Sequence, residues 1–293
     1  MDVLTAAALL AVIVILACIV FSAWRQVSFS IVASIACVFV FVFSLVAEQT
    51  IGDITLLLAY MPHDIFDPSV VHTLLTSMFM HQGFAHLFVN LLMLILIGTI
   101  FEQRIGTRPF IVLYLLCGVI GTLTFAAVRW NEPWLAVVGA SGAITGILGG
   151  FARLYPNEKM IMLPVPIPLS IWTWVLIFVA IQFLLLFGQS NIAVESHLGG
   201  LVAGVLLAPF VVRLPLRQKT LVRRAKTLSV TQLRSLATTP QLKSILDRIE
   251  HEEVPEVRIA WIEHFLSKAE CPRCGSALRV EKDTILCEKG HIV

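Results

Sequence analysis

The chain has 293 residues, of which 58% are hydrophobic and only 14% are charged. This composition excludes an ordinary soluble domain, in which about a quarter of the residues are charged. The formal net charge is +2, and the apolar part has no basic, aromatic-rich segment, so we expect no nucleic-acid partner. The composition is that of a membrane protein.

Seven apolar runs reach about 18 residues or more, the length needed to cross a hydrocarbon core of roughly 30 Å. They predict transmembrane helices at 3–23, 29–47, 77–101, 109–129, 137–154, 169–188 and 192–212. The first run follows Asp2 rather than a basic segment, and it is longer than the apolar part of a signal peptide. We therefore expect it to be retained as a helix.

Lysine and arginine occur in alternate loops. They lie after the first, third, fifth and seventh runs, at Arg25, Arg104, Arg108, Arg153, Lys159 and 213–226. The other loops are acidic or nearly uncharged, except that Arg129 accompanies Glu132. Because basic loops remain in the cytosol, we predict a multi-pass protein of the cell membrane with its N-terminus outside and its C-terminal tail cytosolic.

The third run carries His86 and Asn90, which are four residues apart and so share one helical face. Counted from the outer end of the run, they lie about 9–13 residues in, or roughly 14–20 Å deep. Their side chains suit the stabilisation of developing negative charge. His81 lies off that face, nearer the surface, and we expect it to be structural or interfacial.

The fifth run begins with Gly139-Ala140-Ser141-Gly142, and glycines recur at Gly146 and Gly150. Small residues at this spacing allow helices to pack closely in lipid, and Ser141 could be no more than part of that stripe. Alternatively, Ser141 is a nucleophile. At a helix N-terminus, backbone N–H groups are free to stabilise an oxyanion.

The seventh run carries His197, followed by Gly200 and Gly204. A histidine inside a membrane can be a structural hydrogen-bond partner, but ionisable groups there are functional candidates. Ser141 and His197 are about 4 and 5 residues from the same side, roughly 6–8 Å deep. This shared depth favours a nucleophile and a general base. Glu195 would point to nearly the opposite side, so we expect a two-residue dyad.

After the last run the composition becomes charged and soluble. Thr239 before Pro240 predicts an N-cap and an amphipathic helix, and a second helix is expected from Pro255 to Lys268. We interpret this stretch as a helical linker.

The C-terminal residues contain Cys271-x-x-Cys274 and Cys287-x-x-x-His291, separated by residues suited to two short strands. Four such ligands predict a structural zinc ribbon, and the alternative is unrelated reduced thiols. A full ligand set leaves no open position for catalysis, and thiolate ligands need a reducing compartment. The remaining cysteines, Cys18, Cys37 and Cys117, lie in apolar runs and are expected to pack there.

Together, the motifs over residues 29–212 resemble the rhomboid intramembrane serine proteases. These motifs are His86-x-x-x-Asn90, Gly139-Ala140-Ser141-Gly142, His197-x-x-Gly200-x-x-x-Gly204 and Glu102-x-Arg104-x-Gly106. The resemblance implies a six-helix core with Ser141 as nucleophile and His197 as general base. It also implies an oxyanion hole formed by His86, Asn90 and the backbone N–H of Ser141.

The chain departs from the family pattern in three places. The loop 48–76 lacks the Trp-Arg pair of many members, and Trp24-Arg25 lies on the other side. Thr145 stands where some members have a tyrosine that stacks on the histidine, and Ser196 stands where alanine is common.

We therefore predict an all-α polytopic membrane protein. Its parts are an added transmembrane helix (1–28), a rhomboid-like six-helix core (29–212), a cytosolic helical linker (213–268) and a zinc ribbon (269–293). The expected function is cleavage of transmembrane segments of other proteins, with no cofactor for catalysis. Its expected partners are the lipid bilayer and transmembrane substrates, while a cytosolic partner of the tail is left open.

The alternatives are a catalytically inactive rhomboid-like binding or escort factor and, less favoured, a small-molecule transporter. A transporter would be expected to have paired intramembrane charges or two matching inverted halves.

Overall fold

The computed structural model describes residues 2–162, 165–186, 192–214, 230–252, 255–276, 278–281, 284–287 and 289–292. The chain forms two compact units, Met1–Arg217 and Gln218–Val293.

The first unit is helical. Its helices are α1 (Val3–Arg25), α2 (Phe29–Thr50), α3 (Thr55–Leu58), α4 (Thr73–Thr76), α5 (Phe84–Met93), α6 (Thr99–Ile105), α7 (Thr107–Val128), α8 (Ser141–Leu154), α9 (Ile171–Leu186) and α10 (Val194–Val211). A π-helical turn, Leu94–Gly98, makes α5 and α6 continuous, and 3-10 turns occupy Pro62–Phe66 and Pro68–Val70. Five of these segments are long and apolar enough to cross a membrane, whereas α8 and α9 are shorter. This confirms the predicted helical membrane architecture, and α1 occupies the first predicted span.

The third apolar run begins its helix later than predicted. The prediction started at residue 77, but α5 begins at Phe84, and residues 77–83 are not part of a continuous helix. The carbonyl of Ser77 accepts from the Gly139 N–H (2.8 Å), and Gly83 has a φ of +90°, which redirects the chain just before α5. Met78 and Phe79 are nevertheless buried in the core, which explains why this non-helical segment carries large apolar side chains.

A short hairpin, which was not predicted, joins α8 to α9. Strands β1 (Lys159–Met162) and β2 (Val165–Ser170) pair antiparallel, with Lys159 opposite Ser170. The indole N–H of Trp174 donates to the Met160 carbonyl (2.9 Å) and fixes the start of α9 to the hairpin.

Contacts at the helix ends match the charge alternation of the loops. At one end, Arg108 Nε donates to the Ala23 carbonyl (3.0 Å), and Arg104 pairs with Glu158 (3.0 Å). The ends of α1, α6 and α8 and the start of α7 therefore meet on the basic side. At the other end, the loop before Ser141 pairs with residues 48–76 through the bridge between Tyr60 and Val137.

Glu102 is buried and satisfies the N-terminus of α2. Its carboxylate accepts from the backbone N–H groups of Phe29 (2.6 Å) and Ser30 (2.9 Å) and from the Ser28 hydroxyl (2.8 Å). These N–H groups have no partner within the helix, so an anion there is favourable. Helix α6, which carries Glu102, ends at Gly106, whose φ of +92° suits glycine.

The predicted glycine stripes bring two helices into close contact. A Cβ placed on Gly200 would overlap the carbonyl oxygen of Gly142, and one on Gly204 would overlap that of Gly146. Helices α8 and α10 therefore touch backbone to backbone, as the spacing of small residues indicated.

The second unit contains α11 (Val230–Leu236), α12 (Pro240–His251), α13 (Pro255–Lys268) and an antiparallel hairpin of β3 (Leu278–Glu281) and β4 (Thr284–Cys287). The Thr239 hydroxyl caps α12 by accepting from the Leu242 N–H (3.2 Å), as predicted. The described core of this unit includes Leu233, Ile249, Phe265 and Ile285. Helix α11 was not predicted.

Candidate active site and metal centre

Ser141 and His197 meet across α8 and α10. The distance between Ser141 Oγ and His197 Nε2 is 2.7 Å. Ser141 is the first residue of α8, and His197 lies in the first turn of α10. The glycine contacts hold these two helices at a separation that lets a short hydroxyl reach the imidazole. Such a pair can transfer the hydroxyl proton to the ring during nucleophilic attack.

The other ring nitrogen of His197 is also occupied. Nδ1 lies 3.0 Å from Oε1 of Gln182, a residue of α9 with only 4% of its surface exposed. This amide was not predicted, because only carboxylates were expected as partners of His197. The available signal was a glutamine in a strongly apolar helix.

Thr145 holds the backbone of the histidine rather than its ring. Its hydroxyl lies 2.9 Å from the His197 carbonyl and 3.0 Å from that of Gly142. The ring is instead approached by Phe178 of α9, with 6.2 Å between ring centroids. Ser196 is buried, and a Cβ added to Gly142 would clash with its hydroxyl. This contact favours glycine at position 142.

His86 lies level with the start of α8 rather than deeper. A Cβ on Gly139 would come within 2.6 Å of His86 Nε2, so the imidazole packs directly against Gly139. The predicted depth of His86 is therefore wrong, because it counted 77–83 as helix. Gly139 also has a φ of +118°, which together with the ring makes glycine necessary here.

Asn90 is buried one turn further along α5. Its Nδ2 donates to the His86 carbonyl (2.8 Å), and its Oδ1 has no hydrogen-bond partner among the described residues. The structure thus brings His86, but not the Asn90 amide, into contact with the serine loop, the segment 137–140 that precedes Ser141.

His81 is buried rather than interfacial. Its ring lies 5.2 Å from that of His86, and its Nε2 lies 3.5 Å from the Ala140 N–H. It also borders a cavity of about 760 Å³, whose lining includes Val138 and Ala193. This cavity lies on the side where residues 48–76 meet the serine loop.

Glu195 takes no part in orienting His197. It pairs with Arg129 (2.7 Å), which also bonds Glu132 (3.0 Å). This agrees with the expectation that Glu195 points away from the histidine.

In the second unit, the ligand atoms of Cys271, Cys274, Cys287 and His291 all lie within 4.8 Å of one another. Sγ of Cys274 is 3.6 Å from Sγ of Cys287, close to the roughly 3.8 Å between thiolates that share a tetrahedral zinc ion. A hydrogen bond with Ser276 lowers the pKa of Cys274 to about 6. The donor set and its geometry fit a four-coordinate metal.

Comparison with known proteins decides the family. The sequence model of the Rhomboid domain family matches residues 68–214. This region is about half of the chain and contains all of the elements from α4 to α10. The chain belongs to the rhomboid family. It is an integral membrane protein, and α1 and α2 precede the matched rhomboid region.

Individual relatives cover only part of this rhomboid protein. It is 32% identical over 149 residues to Rhomboid-like protease 3 of Toxoplasma gondii, covering 51% of this chain and 54% of that one. It is 36% identical over 138 residues to Rhomboid protease GluP of Bacillus subtilis, covering 46% and 25%. Inactive RHOMBOID-like protein 8 of Arabidopsis thaliana is also 36% identical, over 94 residues, covering 31% and 26%. The chain thus matches less than two thirds of the length of each.

Proposed function

We propose that the chain is an intramembrane serine endopeptidase that cleaves transmembrane segments of other proteins near the outer face of the bilayer. The observation that carries the proposal is the 2.7 Å hydrogen bond between Ser141 Oγ and His197 Nε2. The helices on which these residues lie are packed backbone to backbone, so the pair is preorganised.

In the proposed reaction, Ser141 Oγ attacks the peptide carbonyl carbon while its proton passes to His197 Nε2. The carbonyl oxygen becomes an oxyanion, and we assign its stabilisation to the Ser141 N–H, His86 and Asn90. The C–N bond then breaks, and His197 returns the proton to the leaving amine. Water, activated by His197, hydrolyses the acyl-enzyme and regenerates Ser141.

A substrate helix must unwind locally before attack, because its carbonyls are already hydrogen bonded within the helix. Water must also reach the site. The 760 Å³ cavity supports access from the outer side, since it borders His81 and the residue preceding Gly139. The basic helix ends then face the cytosol, with the N-terminus outside and the tail in the cytosol of a cell-membrane protein.

The assignment of the nucleophile is tested by labelling the purified protein in detergent with a fluorophosphonate probe. We expect covalent labelling of the wild-type chain and of Ser235→Ala, which changes a serine in the second unit. Labelling of Ser141→Ala is expected to be lost, because the probe reacts with an activated serine hydroxyl. Equal labelling of Ser141→Ala would overturn the assignment.

The competing function is that of a catalytically inactive rhomboid-like binding factor. One relative named as inactive is as similar over its matched part as the named proteases are. A folded wild-type chain that binds a transmembrane client but neither labels nor cleaves would favour this alternative.

For the tail, the proposal is a structural zinc ion held by Cys271, Cys274, Cys287 and His291. We expect about one zinc ion per chain in protein purified without chelator, and much less in Cys274→Ser, because a structural site needs all four ligands. Elemental analysis measures the ratio. Cys18→Ser, a change in membrane helix α1, is the matched control and should retain zinc. A zinc-free, folded wild-type tail would contradict the proposal.

A further inference from the structure

Gln182 is placed where a hydrolase would need a group that orients its general base. It lies on α9, and only Thr173 and Gln182 among residues 171–186 carry an amide or an aliphatic hydroxyl. Thr173 is satisfied at the helix start by the Ser170 hydroxyl (2.8 Å). Gln182 is buried, and its oxygen faces His197 Nδ1 at 3.0 Å.

This contact decides which ring nitrogen carries the proton. With the amide oxygen facing the ring at 3.0 Å, Oε1 can only accept a hydrogen bond, so the tautomer that satisfies this contact carries its proton on Nδ1. Nε2 is then bare and can accept from Ser141 Oγ, which lies 2.7 Å away. The opposite tautomer would place a proton on Nε2 and leave the serine without a base.

No other side chain performs this task in the described part of the first unit. Glu195 is engaged with Arg129, and Thr145 bonds the His197 carbonyl, not its ring. Phe178, four residues before Gln182 and so on the same face of α9, packs against the ring. Both the tautomer and the packing of His197 therefore depend on α9.

We propose that Gln182 is a positioning residue that holds His197 in the tautomer required for proton abstraction from Ser141. A neutral amide thus stands where soluble serine hydrolases commonly use a carboxylate. The inference rests on the proposed protease function and adds α9 to the elements that the chemistry requires.

The test compares Gln182→Met, which keeps the length but removes the acceptor, with Gln182→Glu, which restores it. Fluorophosphonate labelling is followed against probe concentration and pH. In Gln182→Met we expect the maximal labelling rate to fall about 10- to 100-fold, with the half-saturating probe concentration unchanged. Gln182→Glu should recover most of the rate. Its carboxylate favours the protonated ring, so the acid limb of its pH profile should move to higher pH.

Leu184→Met is the matched control, because Leu184 is 70% exposed on the same helix and faces away from His197. It should label as the wild type does. A wild-type rate and pH profile in Gln182→Met would overturn this inference and leave the proposed protease function standing. A loss that Gln182→Glu does not restore would also overturn it, because the residue would then serve only packing. A wild-type chain that does not label at all would overturn the proposed protease function, and this inference with it.

Discussion

Replacing His197 by alanine is expected to lower the rate of substrate cleavage by roughly 10³-fold or more while leaving the protein folded. Ser141 Oγ would lose the imidazole that lies 2.7 Å away and takes up its proton. A serine hydroxyl without a base is a poor nucleophile at neutral pH. The fold should survive because α10 is held to α8 by its glycines rather than by the histidine ring. Cleavage of a labelled transmembrane peptide with small residues at its centre measures the effect.

Removing both groups should cost little more than removing one, because a nucleophile and its base act as a unit. The double variant with Ser141→Ala therefore provides a check on the assignment. His251→Ala is the matched control, since His251 is an exposed histidine in the second unit, bonded within its own helix. Cleavage by purified, folded His197→Ala at a tenth of the wild-type rate would be incompatible with His197 as the general base.

The meeting of Ser141 and His197 followed from two features of the sequence. Each residue lies near the start of an apolar run on the same predicted side, and each is followed by glycines at four-residue spacing. The first feature fixes depth and the second fixes distance, because only helices with small residues approach this closely. Together they left little freedom in where the two side chains could lie.

The start of α5 was predicted wrongly, because hydrophobicity does not show where the chain stops being helical. Residues 77–83 carry Met78, Phe79 and Met80 and adjoin an apolar helix, yet they form a non-helical segment that ends at Gly83. An apolar run does not reveal whether lipid or protein surrounds it. The error in the depth of His86 follows from this ambiguity.

The contact between Gln182 and His197 was not predicted, for a different reason. Its partner lies 15 residues away on another helix, and the rotation of α9 about its axis determines whether the amide faces His197 or lipid. A helix that is apolar all round carries no stripe from which that rotation can be inferred. The hairpin between α8 and α9 fixes it through the Trp174 contact, and the hairpin itself was not predicted.

Gly204→Ala is expected to damage both stability and activity. The added methyl would overlap the carbonyl oxygen of Gly146, a backbone atom that cannot rotate away as a side chain can. Overpacking a close contact costs about 1–3 kcal/mol, and a rigid neighbour places this substitution at the upper end. The helices must separate to relieve the overlap, and His197 lies two turns from Gly204 on α10.

Separation of the helices would also misplace the catalytic pair. A displacement of about 1 Å between reacting groups lowers rates on the order of 10²-fold. Gly204→Ala should therefore cleave substrate far more slowly even at temperatures where it remains folded, with a lowered thermal midpoint in detergent. Val202→Leu, which adds one carbon to a 55% exposed position of the same helix, should change neither property. Wild-type stability and activity in Gly204→Ala would mean that α8 and α10 are not in backbone contact, and the geometry that joins Ser141 to His197 would lose its support.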